Sequence, residues 1–282
     1  MTVGVVGLGL IGGSLAKAIT KNTEHSVLGN DISESVVLKA GAQGVISGIL
    51  TPDRVCECDT VILAVYPQAT VDWINQNAGS FKKGCIVLDC CGVKRVVCDQ
   101  VKGLADESDF VFIGGHPMAG KQFSGFHYSS ESLFKNASMI FTPFSDIDIV
   151  SLYKMRDLFR SIGFTNIEIT TPEDHDSLIA YTSQLAHVVS NAYVKSPRAL
   201  RHAGFSAGSY RDLTRVAWLN EKMWTELFFD NADFLAEEID NIVSELTKYS
   251  AALKTGNRDQ MEQLLLEGKL RKEKIDGKED LE

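Results

Sequence analysis

Four stretches of the chain hold residues whose types and spacing could do chemistry. Residues 114–125, Gly-Gly-His-Pro-Met-Ala-Gly-Lys-Gln-Phe-Ser-Gly, place His116 in a Gly/Pro-rich turn after an apolar run. An imidazole with an ordinary pKa near 6.5 accepts a proton at neutral pH, so a histidine at a strand end is where an α/β enzyme would put a general base. Near the N-terminus, Gly7-Leu8-Gly9-Leu10-Ile11-Gly12 has the G-x-G-x-x-G spacing of a dinucleotide turn. Tyr181-Thr182-Ser183-Gln184-Leu185-Ala186-His187 sets Ser183 and His187 four residues apart, on one face if helical. Gly208-Ser209-Tyr210-Arg211-Asp212-Leu213-Thr214-Arg215 offers two guanidinium groups, which bind carboxylates bidentately where a lysine would do so poorly.

The elements around these residues must position them. Val3–Gly7 is a β-branched run ending in glycine, and Leu15–Thr20 after the turn is amphipathic. That order gives each glycine a task. Gly7 makes the tight turn, Gly9 lets backbone approach a pyrophosphate, and Gly12 lets the helix pack closely with its N–H groups facing the phosphates. The next strand, Ser26–Gly29, leads to Asp31, 19 residues beyond Gly12, close to the ~20 expected of the carboxylate that binds a ribose 2′-hydroxyl. A carboxylate there repels a 2′-phosphate, which favours NAD over NADP. The competing reading is that Asp31, or Ser33, borders the following helix.

Apolar strands follow at Thr60–Val65, Ile86–Asp89, Phe110–Ile113 and Met139–Thr142, and a last helix–strand unit covers Leu152–Ile169 with Gly163 at the helix end. Alternating strands and helices predict an α/β fold with a doubly wound, mostly parallel Rossmann-type sheet. Three strand-end loops, Ala64-Val65-Tyr66-Pro67, Asp89–Gly92 and Gly114–His116, would converge on the cofactor crevice at the carboxyl edge. From Thr171-Pro172-Glu173-Asp174, a helix-start signature, strand signals stop. His175, in that first turn beside Asp174 and Asp176, is expected to be exposed. Helices are expected through Ile179–Tyr193, Trp218, Trp224–Phe229, Ile239–Leu253 and Met261–Leu270, with a charged, frayed tail and a terminal Leu281-Glu282 that could be a vector remnant. Residues 1–170 thus read as a dinucleotide-binding domain, and 171–282 as an all-helical substrate and dimerisation domain whose apolar helices pair two copies.

Composition bounds the partners. A formal charge of −9 over 282 residues argues against nucleic acid, and no run reaches the ~20 apolar residues of a membrane span. The chain enters a strand at once, without the basic start of a secretory leader, and its six cysteines lie in the first hundred residues without zinc spacing. The expectation is a cytoplasmic protein with reduced thiols and no metal.

The fingerprint, His116-Pro117-Met118-Ala119-Gly120, Ser183–His187 and Gly208–Arg215, in this order over nearly the whole chain, resemble the prephenate/arogenate dehydrogenase family of tyrosine biosynthesis. The resemblance implies NAD-dependent oxidative decarboxylation of prephenate to 4-hydroxyphenylpyruvate, or of arogenate to tyrosine. It implies His116 as the catalytic base and Arg215 as the anchor of a substrate carboxylate. It sets His187, Ser183, Gln184 and Gln122 at the substrate, with Asp212 holding the site together and Trp224 nearby. The cofactor would lie on Gly7, Gly9, Leu10, Ile11, Gly12, Asp31, Ala64 and Val65. For Arg211, a substrate contact and a pairing with Asp212 remain equally open.

Two departures stand out. The family usually reads Asp-x-Gly-Ser-Val-Lys where this chain has Asp89-Cys90-Cys91-Gly92-Val93-Lys94, so a serine hydroxyl near the base is missing. Lys121-Gln122 stands where the family often has Thr-Glu. Two other readings compete with a prephenate or arogenate dehydrogenase. One is a β-hydroxyacid-type NAD dehydrogenase, for which Lys195, beside Ser196-Pro197, is a poorly placed catalytic lysine. The other is a catalytically weakened NAD- and tyrosine-binding protein, suggested by Gly92.

Overall fold

The structure, a computed structural model, describes residues 1–121 and 123–277. The chain forms two compact units, Met1–Ala232 and Asp233–Glu282. In the first unit, β1 (Thr2–Val6), α1 (Leu10–Asn22), β2 (Ser26–Asn30), α2 (Glu34–Ala42) and β3 (Gly48–Ile49) are followed by β4 (Thr60–Leu63), α3 (Pro67–Asn77), β5 (Ile86–Asp89) and α4 (Arg95–Asp106). Then come β6 (Val111–Met118), β7 (Ser138–Pro143), α5 (Ile149–Ser161) and β8 (Asn166–Ile169). The eight strands make one sheet in the order β3-β2-β1-β4-β5-β6-β7-β8. Every neighbouring pair is parallel except β6 and β7, which run antiparallel.

The sheet is covered on both faces, as a parallel sheet must be. Val3, Val5, Val27, Ile62, Ile86 and Leu88 point into one apolar cluster, whereas Val6, Leu28, Val61, Leu63 and Val87 point into another. Their alternation along each strand reflects the two-residue period of the pleat. Gly163 ends α5 with φ +110°, the left-handed conformation that a helix C-terminus favours in glycine.

One strand differs from expectation in a way that matters for the site. β6 does not stop at Ile113 but continues to Met118, through His116. Its pairing with β5 ends at Ile113, while its antiparallel ladder with β7 goes on, with His116 opposite Ile140. The histidine therefore stands past the carboxyl end of β5 on a backbone still fixed by hydrogen bonds on its other flank. It is not in a turn.

The remainder is helical: α6 (Pro172–Ile179), a π-helical turn at Ala180–Gln184, α7 (Leu185–Tyr193), α8 (Gly208–Thr214), α9 (Glu221–Phe229), α10 (Ala232–Thr255) and α11 (Arg258–Ile275). Thr171 caps α6 by accepting from the Asp174 amide at 3.1 Å. Trp218, expected in a helix, lies just after a short 3-10 turn. In the second unit Gly256 (φ +67°) turns the chain between α10 and α11, and Asn257 accepts from the Gln260 amide to cap α11. α11 extends to Ile275, into the stretch expected to fray, because Arg271–Glu267 and Lys272–Asp276 form i,i+4 ion pairs along it. Leu281-Glu282 lies outside the described residues.

Candidate active site

At the carboxyl edge of β1 the fingerprint builds a close-packed turn. Gly7 adopts φ +81°, and a Cβ there would come within 2.6 Å of the Ala64 carbonyl oxygen. A Cβ on Gly12 would lie 1.8 Å from the Gly7 carbonyl oxygen, so any side chain would push α1 off the turn. A Cβ on Gly9 would meet nothing within 4 Å, so the space in front of the α1 N-terminus is open. α1 begins there, at Leu10 and Ile11, without a side-chain cap. An uncapped 13-residue helix facing open space fits a pyrophosphate. Asp31 follows β2 and receives two amides, Leu8 N–H on Oδ2 at 2.7 Å and Ser33 N–H on Oδ1 at 2.8 Å. It thus braces the glycine turn as well as the start of α2, and keeps a lone pair on each oxygen for a ribose hydroxyl. Ala64 and Val65, directly after β4, are half-buried beside Gly7. These residues fit a nicotinamide dinucleotide.

His116 lies along the same edge on β6, with β4 and β5 between it and β1. Its Nδ1 is 2.9 Å from Nε2 of His175, and Nδ1 of His175 is 2.7 Å from Oδ1 of Asp176. Asp176 also receives the backbone N–H groups of Lys94 (2.7 Å) and Arg95 (2.9 Å), so one carboxylate caps α4 and holds His175. On the other side of His116, a Cβ on Gly92 would be 4.0 Å from Nε2. The Leu227 methyls would lie 3.5 and 3.6 Å from the same point. Beneath the histidine, Lys94 and Asp89 form an ion pair with both side chains fully buried. Lys94 also donates to the Gly115 carbonyl (2.7 Å), and Asp89 accepts from the Gly115 and Cys91 amides. Burial pulls the Lys94 ammonium down, but Asp89 and the nearby thiols more than compensate and hold it above its usual value. Burial, then His175, then Lys94 hold the His116 imidazole well below 6.5, so it stays neutral. Burial also lowers His175, against the opposing pull of Asp176.

At the helical end, His187 Nδ1 donates to the Ser183 carbonyl at 2.9 Å, which leaves Nε2 free. Its ring lies 3.9 Å from that of Trp224, and burial together with the charge of nearby Arg215 lowers its pKa. His187 and Trp224 line a cavity of about 260 Å³ together with Asn191, Lys195 and Phe228. Arg211, Asp212 and Arg215 are exposed, and none makes a side-chain hydrogen bond or ion pair among the described residues.

The structure thus brings His116, Gly92 and Leu227 together, and separately His187, Ser183, Trp224 and Arg215; α9 joins the two groups by carrying both Trp224 and Leu227. Several expectations are corrected. His175 is not exposed: its side chain is fully buried, because the start of α6 packs under β6 and α4. Gln184 is turned inward, 1% exposed, where its Nε2 donates to the Leu227 carbonyl and its Oε1 accepts from Asn231. Its amide is occupied in packing and does not face a ligand. The reason is local: the π-turn adds a residue to the helix and rotates Gln184 away from the His187 face. Asp212 makes no side-chain hydrogen bond or ion pair among the described residues, and is exposed. Gln122 lies outside the described residues. Missed altogether were the Asp89–Lys94 pair and Asn231, which is fully buried between Arg95, Gln184 and the Asp176 carbonyl. A buried Asp-x₄-Lys after a core strand was the available sign.

A glycine cradle with an acidic ribose partner, a histidine along the same sheet edge and a cationic helical end define the class, a two-part dehydrogenase built on a Rossmann-type sheet. Comparison with known proteins narrows this. Residues 15–167 match the prephenate dehydrogenase nucleotide-binding domain, and residues 171–267 match the prephenate dehydrogenase dimerization domain. The chain belongs to the prephenate dehydrogenase family. It is 31% identical over 256 residues to the prephenate dehydrogenase of Bacillus subtilis, covering 88% of this chain and 68% of that protein. A prephenate dehydrogenase structure from A. aeolicus, in complex with hydroxyphenyl propionate and NAD+, superposes with a TM-score of 0.84 at 26% identity over 98% of each chain. The Synechocystis arogenate dehydrogenase superposes with a TM-score of 0.82 at 25% identity, covering 98% of this chain and 100% of that one.

Proposed function

We propose that the protein catalyses the NAD-dependent oxidative decarboxylation of prephenate to 4-hydroxyphenylpyruvate, with arogenate to tyrosine as the alternative reaction. The observation that carries this reading is His116, fixed on β6 with Nε2 4.0 Å from where a Cβ on Gly92 would lie, on the side of Leu227. The substrate hydroxyl gives its proton to His116 Nε2 as hydride leaves the same carbon, and loss of the ring carboxylate as CO₂ completes an aromatic ring. NAD supplies the hydride acceptor, held by Gly7, Gly9, Leu10, Ile11, Gly12, Asp31, Ala64 and Val65. Arg215 grips a substrate carboxylate, and His187 offers its free Nε2 to the substrate beside Ser183. Gly92 supplies no hydroxyl, so the proton must pass directly, or through water, to His116.

The change of role falls near residue 170, a reading supported by family matches over residues 15–167 and 171–267. The helical part pairs two copies, a reading supported by the exposed Leu246, Leu253, Leu265, Leu266, Leu270 and Ile275 of α10 and α11. Among the described residues no helix is long and apolar enough to cross a membrane, and we place the homodimer in the cytoplasm. Following NADH formation with prephenate and with arogenate, supplied with NAD and then NADP, tests the reading. Turnover of neither substrate would overturn it.

A further inference from the structure

A base of the kind proposed for His116 works only if its lone pair faces the substrate, and an imidazole has two nitrogens. In many members of this family a serine hydroxyl stands where Gly92 stands here. In this chain nothing at residue 92 can select the tautomer from the Nε2 side. Among the described residues, the one hydrogen bond of the His116 ring joins its Nδ1 to Nε2 of His175.

The direction of that bond follows from the far end of the chain of contacts. The Asp176 carboxylate only accepts, so Nδ1 of His175 carries its proton and donates to Oδ1. Nε2 of neutral His175 then bears a lone pair, and the 2.9 Å contact requires the proton on Nδ1 of His116. Nε2 of His116 is left basic, at the point that lies 4.0 Å from a Cβ on Gly92. Asp176 has no freedom to turn away, because Oδ1 also takes the Lys94 amide and Oδ2 the Arg95 amide. The carboxylate takes only one of the two ring nitrogens of His175. The second nitrogen of His175 is committed to His116 instead.

We propose that His175, held by Asp176, is a positioning residue for the reaction: it accepts a hydrogen bond from Nδ1 of His116 and so keeps the reactive lone pair on Nε2, on the side of Gly92 and Leu227. The arrangement repeats the logic of a base aligned by a third group that never touches the substrate. It rests on the dehydrogenase reading for its consequence in turnover, but not for the tautomer itself. The charged and titratable groups facing the pair are Asp89 from the end of β5, Lys94 and Arg95 at the start of α4, and Glu173 and Asp176 from α6.

The test is nitrogen NMR on the whole protein labelled with [15N]histidine, together with steady-state kinetics of two variants. In the unsubstituted protein His116 is expected as a single tautomer protonated on Nδ1. His175→Gln keeps an acceptor near the position of Nε2 and should retain kcat to within about 3-fold. His175→Leu should convert His116 to a mixture of tautomers and lower kcat by at least about 10-fold, with KM for substrate and for NAD changed less than about 2-fold. A His116 proton on Nε2 in the unsubstituted protein overturns the proposal, as does a His175→Leu enzyme with undiminished kcat. If His175→Leu does not fold, the spectrum of the unsubstituted protein decides alone. If no substrate is turned over, the dehydrogenase reading fails while the tautomer is still read from the spectrum.

Discussion

The two ends of the candidate site are built on opposite terms. Around His116, the side chains of Asp89, Lys94, His175 and Asp176 and the amides of Cys91, Lys94, Arg95 and Gly115 form one continuous buried network. Around Arg215 the charged side chains stand in solvent, near His187, whose ring lies tilted by 31° against that of Trp224. The first end is rigid before any ligand arrives. On the proposed function, the second holds its charge for a substrate carboxylate. Substitutions at the first should therefore show up in stability and in turnover, and those at the second in apparent affinity.

The largest effect is expected from Lys94→Met, which leaves the Asp89 carboxylate buried without its cation. Losing one partner of a buried pair costs about 3–5 kcal/mol, to be read from denaturant midpoints. A loss under about 1 kcal/mol would mean that the network is not what makes this end rigid. His116→Asn should lower kcat by at least ~10²-fold with NAD binding preserved, because the proton then has no acceptor of suitable basicity. Arg215→Ala should raise KM for the substrate by about 10-fold or more, the worth of a charge-assisted hydrogen bond, and change stability by less than ~0.5 kcal/mol. An unchanged KM would remove the anchor from Arg215 and end the contrast between the two ends.

Acidity sharpens the same comparison. His116, His175 and His187 all titrate below 6.5 in the folded protein, so between their folded values and 6.5 the unfolded chain binds more protons. Their contribution to stability is complete above pH 6.5 and is lost as the pH falls through the folded values. The slope of unfolding free energy below pH 6.5 should flatten in His175→Leu, which removes one of these groups. The smallest effect is expected from Gly92→Ser. Its Cβ would make ordinary contacts with Leu227 and lie within reach of His116 Nε2, so the variant should fold as before and raise kcat by a few-fold. A fall in kcat would show that a side chain at residue 92 obstructs the reaction.

Much of the framework was legible because it obeys local rules. Strands of β-branched residues broken by Gly7, Asp31 and Gly92, and the cap at Thr171, announce themselves within a few residues. The fingerprint could be placed because glycine is required there for reasons of contact, as Gly7 and Gly12 show. The site was only partly legible, because its network is made of contacts between distant segments. His175 looked exposed from its charged neighbours, and only the meeting of α6 with β6 and α4, 59 residues from His116, buries it. Gln184 could not be oriented, since a π-turn leaves no mark in the residue pattern. β6 outran its expected end because its last five residues are held by β7, a pairing invisible to a reading of Gly114-Gly115-His116-Pro117 as a turn.

The double duty of Asp176 carries a consequence for how this protein comes into being. The same two oxygens that seat the start of one helix also aim the imidazole chain, so a molecule whose sheet and helical segments have not yet met cannot be armed. On the proposed function, the docking of α6 against α4 and the aiming of the base thus share one carboxylate.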